Sequence, residues 1–145
     1  MNFTDARRAT AHRQSTMKDL HNKSVLVIDD DVGMLRALTK ALTGEGLVVA
    51  SAVSPEAAVK YLVGQQQHFD LVITDLRMPF VDGLDVLYAV QTSFRDVPVI
   101  VITAFGSAEA KAKALSEGAF AFLEKPLDTA QLVGVIQRAL AEDAH

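Results

Sequence analysis

Cysteine and tryptophan are both absent from this 145-residue sequence. Without a thiol there is no disulfide, no thiolate metal site and no cysteine nucleophile. No apolar run is long enough to span a bilayer, and the start, MNFTDARRATAHRQST, has no apolar centre of the kind a secretory signal needs. A cytoplasmic protein without membrane contact is therefore expected. A glycine-rich phosphate loop is also missing after the first apolar run, which argues against a nucleotide-binding fold. Basic charge is scarce beyond the start: residues 1–23 hold five Lys or Arg against two Asp, and the remaining 122 hold nine against sixteen. So acidic a body is a poor direct partner for nucleic acid. The basic start has no periodic apolar residues. Residues 1–22 are expected to be a disordered leader, 23–142 one domain, and 143–145 a tail or the start of a linker.

What the sequence does contain is regular from Ser24 onward. SVLVI at 24–28 is a short β-branched run that ends in acids. Residues 32–43 carry Leu35, Leu38 and Leu42 at helical spacing, and Gly44 and Gly46 stop that helix. A second strand is expected at 47–51. Ser54 then caps a helix with Pro55 in its first turn, running to about residue 62 or 63. FDLVIT at 69–74 is the third strand. A helix over 83–93 carries Leu84, Leu87 and Val90 or Gln91. VPVIVIT at 97–103 is the fourth strand, 107–116 an alanine-rich helix stopped near Gly118, and AFAFL at 119–123 the fifth strand. Asp128 and Gln131 have the spacing of a capping box for a last helix with the stripe Leu132, Val133, Ile136 and Leu140. Strands this short and this continuously apolar are buried on both faces. The fold class is α/β: a doubly wound, five-stranded parallel sheet with helices on both faces.

Ligands of open parallel sheets bind beyond the carboxyl ends of the strands. Here those ends carry Asp29, Asp30 and Asp31; Thr74 and Asp75; Thr103; and Glu124, Lys125 and Pro126. Crowded carboxylates repel unless a cation lies among them, and an all-oxygen set suits Mg²⁺ or Mn²⁺. A lysine and a threonine hydroxyl beside them suit phosphoryl oxygens. An aspartate can act as the nucleophile that forms an acyl phosphate. Asp31 is read as the cap of the first helix.

These stretches carry a family resemblance. VLVIDDD at 25–31, DLVITDLRMPFVDGLDVL at 70–87, VPVIVITAFGS at 97–107 and GAFAFLEKPLD at 118–128 resemble the response-regulator receiver family, over residues 24–141. The resemblance implies strand order 2-1-3-4-5, with Asp75 as phosphoacceptor and metal ligand. Asp30 would ligate Mg²⁺ directly, Asp29 directly or through water, and the backbone carbonyl of Arg77 would complete the protein ligands, with Mn²⁺ able to substitute. It implies that Thr103 and Phe122 are the switch residues, that Lys125 partners the phosphoryl group, and that the bond preceding Pro126 is cis. Arg77 and Phe105 stand where the family tunes the lifetime of the acyl phosphate; neither can orient a water for attack, which implies a long-lived phosphorylated form. Phe122 replaces the commoner Tyr, so its rotation cannot depend on a phenolic hydrogen bond. The implied partners are a sensor histidine kinase, a second copy in a homodimer, and downstream ATPase and DNA-binding domains in a longer parent. The run from Ile102 to Asp128 resembles receivers of enhancer-binding transcription activators.

Two other readings fit less well. Haloacid-dehalogenase-type phosphatases use a DxD motif directly after the first strand, whereas here the acids are consecutive and Asp75 follows the third. A receiver-like module without phosphorylation would lack the acceptor, one of the acids or the lysine, and all three are present.

Overall fold

The computed structural model describes residues 20–65, 68–76, 83–104 and 106–143. Five strands alternate with five helices: β1 Ser24–Ile28, α1 Val32–Gly44, β2 Val48–Ala52, α2 Pro55–Gln65, β3 Leu71–Asp75, α3 Gly83–Ser93, β4 Val99–Thr103, α4 Ala108–Ser116, β5 Ala121–Glu124 and α5 Thr129–Asp143. All four ladders are parallel and the strand order is β2-β1-β3-β4-β5. This is the doubly wound sheet expected from the sequence. With β1 at the point where the winding reverses, the ends of β1 and β3 lie side by side, where such sheets bind their ligands.

The sheet separates two apolar layers. On one side Leu35, Leu38 and Leu42 of α1 pack with Leu132, Val135, Ile136, Ala139 and Leu140 of α5 against Val25, Val27, Leu71, Ile73, Ile100 and Ile102. The other layer holds Leu26, Ile28, Val72, Val99 and Val101 with Ala58, Leu87, Val90 and three rings, Phe69, Phe94 and Phe122. The strand pattern explains this: β3 and β4 are buried along their whole length, alternate residues going to opposite layers.

Several boundaries differ from those read in the sequence. β3 begins at Leu71 rather than residue 69: Asp70 N–H still donates to the Ser24 carbonyl, but Ser24 N–H is taken by the Asp70 carboxylate and not by a backbone carbonyl. β4 begins at Val99 rather than 97, since Val97 N–H closes a turn on Phe94. Ala119 closes the end of α4 by donating to the Ala114 carbonyl, so β5 runs 121–124 rather than 119–123. Gly46 and Gly118, with φ of 95° and 104°, supply the left-handed residues that stop α1 and α4. Asp128 accepts from Ala130 and Gln131 N–H at the start of α5. The buried stripe of α5 includes Val135 and Ala139, while Val133 is only half-buried.

The largest correction concerns the start. Leu20, assigned to the leader, is 1% exposed and belongs to the same layer as Leu42 and Leu47. Asn22 N–H donates to the Gly46 carbonyl and Val48 N–H to the Lys23 carbonyl. The packed body therefore includes Leu20, three residues before the boundary read from the sequence, and residues 1–19 of the expected leader lie outside the described residues. No helix among the described residues is long and apolar enough to cross a membrane.

Candidate functional site

The chain leaves β1 through Asp29, which is fully buried. Its backbone N–H donates to the Ala52 carbonyl, extending the ladder by one bond. One carboxylate oxygen accepts from Asp31 N–H at 2.9 Å. Asp31 in turn accepts from Met34 N–H at 3.1 Å and caps α1, so the turn that holds Asp29 is the turn that starts the helix. Asp30, between them, is exposed. Asp75 is the last residue of β3, 3% exposed. Thr103 ends β4, 2% exposed, and its carbonyl accepts from Lys125 N–H.

Lys125 joins the strand ends. Its ammonium lies 2.8 Å from Asp29 Oδ2 and 2.9 Å from Asp75 Oδ2. The Lys125–Pro126 peptide bond is cis. Burial pushes the Asp29 carboxyl above the usual range, and the hydrogen bonds from Lys125 and Asp31 only partly offset that. For Lys125 burial is the largest single influence and works against its charge. The two carboxylates together outweigh it and hold the ammonium above an ordinary lysine.

Asp29, Asp30 and Asp75 each offer a carboxylate oxygen, and these lie within 4.8 Å of one another. An all-oxygen set this close is compatible with a small hard cation, since Mg²⁺ takes ligands at about 2.0–2.1 Å. Of the residues read from the sequence, Asp29, Asp30, Asp75, Thr103 and Lys125 therefore lie together at one rim. Phe122 lies on β5, buried, in the layer with the rings. Arg77 and Phe105 lie outside the described residues. Sequence reading gave no role to Gly106, which sits directly against Phe122; an isolated glycine in a loop carries no signal that would have singled it out.

The response regulator receiver domain family matches residues 25–137. The chain is 38% identical over 120 residues to the transcriptional regulatory protein GlrR of Escherichia coli K12, covering 83% of this chain and 27% of that protein. The chain thus spans about a quarter of the length of the curated relatives it matches. Among solved structures it is similar to a response regulator receiver domain protein from Clostridium thermocellum, with a TM-score of 0.76 and 30% identity, covering 84% of this chain and 97% of that one. It is likewise similar to the beryllofluoride-activated receiver domain dimer of NtrC4, with a TM-score of 0.74 and 32% identity over 83% of this chain and 98% of that one. With the same strand order, and with the acids and lysine at one rim, this chain belongs to the receiver domains of two-component response regulators, of the kind found in NtrC- and ZraR-type transcription activators.

Proposed function

We propose that Asp75 accepts a phosphoryl group from a phosphohistidine of a sensor histidine kinase. Asp29, Asp30 and Asp75, with the backbone carbonyl of Arg77, would hold Mg²⁺, or Mn²⁺ in its place. The bound cation supplies positive charge to the phosphoryl oxygens and relieves the repulsion among the acids. An oxygen of Asp75 forms the new P–O bond as the P–N bond to histidine breaks, and the freed imidazole takes up a proton. Lys125 is already bonded to Asp75 and can turn its N–H donors to the incoming oxygens. Thr103 offers its hydroxyl to the same group. The observation that carries this reading is the Lys125 ammonium bridging Asp29 and Asp75 at the carboxyl ends of the central strands. The domain is a phosphoacceptor with self-phosphotransfer and slow self-dephosphorylation, not a turnover enzyme.

The readout would be the surface formed by α4, β5 and α5, by self-association of two copies or by contact with a downstream ATPase and DNA-binding portion. The 27% coverage of GlrR, itself a transcriptional regulatory protein, supports a longer parent with transcriptional output. A cytoplasmic setting fits that output. Phosphorylation would move Thr103 toward the phosphoryl group and draw Phe122 inward. The ring is already 6% exposed, so the switch is better described as a change in how firmly an inward ring is held.

Incubation with acetyl phosphate and Mg²⁺ should add one phosphoryl mass to the intact chain, and Asp75→Asn should abolish it. A label that persists in that variant would refute Asp75 as acceptor, and sustained release of phosphate from a generic phosphomonoester would favour the phosphatase reading.

A further inference from the structure

Gly106 lies three residues beyond Thr103, on the loop between β4 and α4. A Cβ built there would stand 2.8 Å from Phe122 Cε1, 3.0 Å from Glu124 Oε1 and 3.1 Å from Glu124 Cγ. Carbon atoms pack at about 3.5–4.0 Å, so the first contact is well inside the repulsive wall. A Cβ at this position would have to displace the ring or be displaced by it. The requirement here is one of space.

The two neighbours differ in what they can do. Glu124 is exposed, and its carboxylate can swing away. Phe122 is 6% exposed and belongs to the layer that includes Val101, Ala114 and Ala119, so its ring cannot yield by a few tenths of an ångström without repacking. Phe122 is also among the β5 residues along a groove of about 510 Å³ between α4 and α5, bounded by Lys111, Leu115, Phe120, Gln131 and Arg138. The ring is thus held between the Gly106 backbone and a packed layer.

We propose that Gly106 is a positioning residue for Phe122. The side chain it lacks is the space in which the ring sits, and direct contact between them ties the position of the ring to the loop after Thr103. The inference rests on the receiver reading above for its meaning, though not for its geometry. Phe122 has no phenolic hydroxyl, so this coupling runs through packing. Any shift of the loop that carries Thr103 and Gly106 tightens or loosens the seat of the ring.

The test is a mutant cycle on the full chain with Gly106→Ala, Phe122→Leu and Glu124→Ala, followed by thermal unfolding and by assigned aromatic NMR signals with a soluble paramagnetic agent. Gly106→Ala should lower the melting temperature by about 5 °C through overpacking. It should also raise the relaxation of the Phe122 ring severalfold while Phe69 and Phe94 stay unchanged. Phe122→Leu should remove most of the thermal penalty of the alanine, and Glu124→Ala should not. An unchanged Phe122 ring, additive effects of the two substitutions, or rescue by Glu124→Ala overturns the proposal. Should Gly106→Ala fail to fold, recovery by Phe122→Leu supports it, and recovery by Glu124→Ala or by neither overturns it. Acetyl phosphate labelling of the unmodified chain keeps the two readings apart. Failure to label refutes the phosphoacceptor and leaves the ring result standing, whereas normal labelling with an unmoved ring refutes only the role of Gly106.

Discussion

The two ends of the sheet are built on opposite terms. At the amino end Leu20 plugs the layer beside Leu42 and Leu47, and backbone bonds from Asn22 and Val48 tie the incoming chain to the turn after α1. The side-chain bond there, from Ser24 N–H to Asp70, joins a carboxylate to a backbone donor. At the carboxyl end Asp29, Asp75 and Thr103 are buried, and a single lysine serves two carboxylates. Burial of apolar surface stabilises the first end, whereas burial of like charges costs stability at the second. The molecule carries its chemistry where its packing is least favourable.

The largest expected effect lies at the amino end. Leu20→Ala should cost about 3 kcal/mol in chemical denaturation, the usual range for truncating a buried leucine. Phosphoryl labelling of the folded fraction should be unaffected. A loss near zero would show that this end is not a plug, and the comparison would fail.

Next comes Lys125→Ala. It leaves Asp29 buried with one partner fewer and should cost about 2 kcal/mol at neutral pH. The sign with pH follows from the raised Asp29 carboxyl. A carboxyl whose folded pKa lies above its unfolded value favours the folded state when protonated, and that gain is lost as pH rises through the folded pKa. Without Lys125 that pKa rises further. The variant's deficit should therefore shrink as pH falls below neutrality, read as converging melting temperatures. A deficit constant with pH would place the cost in lost packing of the lysine stem and not in charge.

The smallest effect has the opposite sign. Asp29→Asn removes the buried charge and keeps an oxygen able to accept from Asp31 N–H, so in chelator it should gain about 1 kcal/mol. Millimolar Mg²⁺ should then raise the melting temperature of the parent chain and do little for the variant. Equal shifts in both would remove Asp29 from the cation site.

The same contrast explains what could be read from the sequence. Continuous apolar runs gave away β1, β3 and β4 because both faces of these strands are covered, and the rim acids were legible because they follow those runs directly. The start of β3 was not, since Phe69 is buried too and the ladder ends only where the Asp70 carboxylate takes the Ser24 N–H. Leu20 was hidden by its surroundings: one apolar residue after a basic polar stretch has no period. Val135 and Ala139 were missed on α5 because its buried face is wider than the single stripe that was traced. Gly106 was invisible because its importance is set by a residue on another strand.

The bond between Lys125 and Asp29 joins residues 96 positions apart. A chain emerging from the ribosome exposes β1, α1 and β2 early, together with the Leu20 contact that closes them into a unit. Asp29 and Asp30 are then in place, but Asp75 and the counter-charge on Lys125 are still unsynthesised. Parallel ladders cannot form as hairpins, so each further strand must wait for its crossover helix. The charged rim is thus among the last parts of the domain to be assembled. A nascent chain that has exposed only β1, α1 and β2 holds neither Asp75 nor Lys125, so the proposed acceptor site is complete only once translation has run past Lys125.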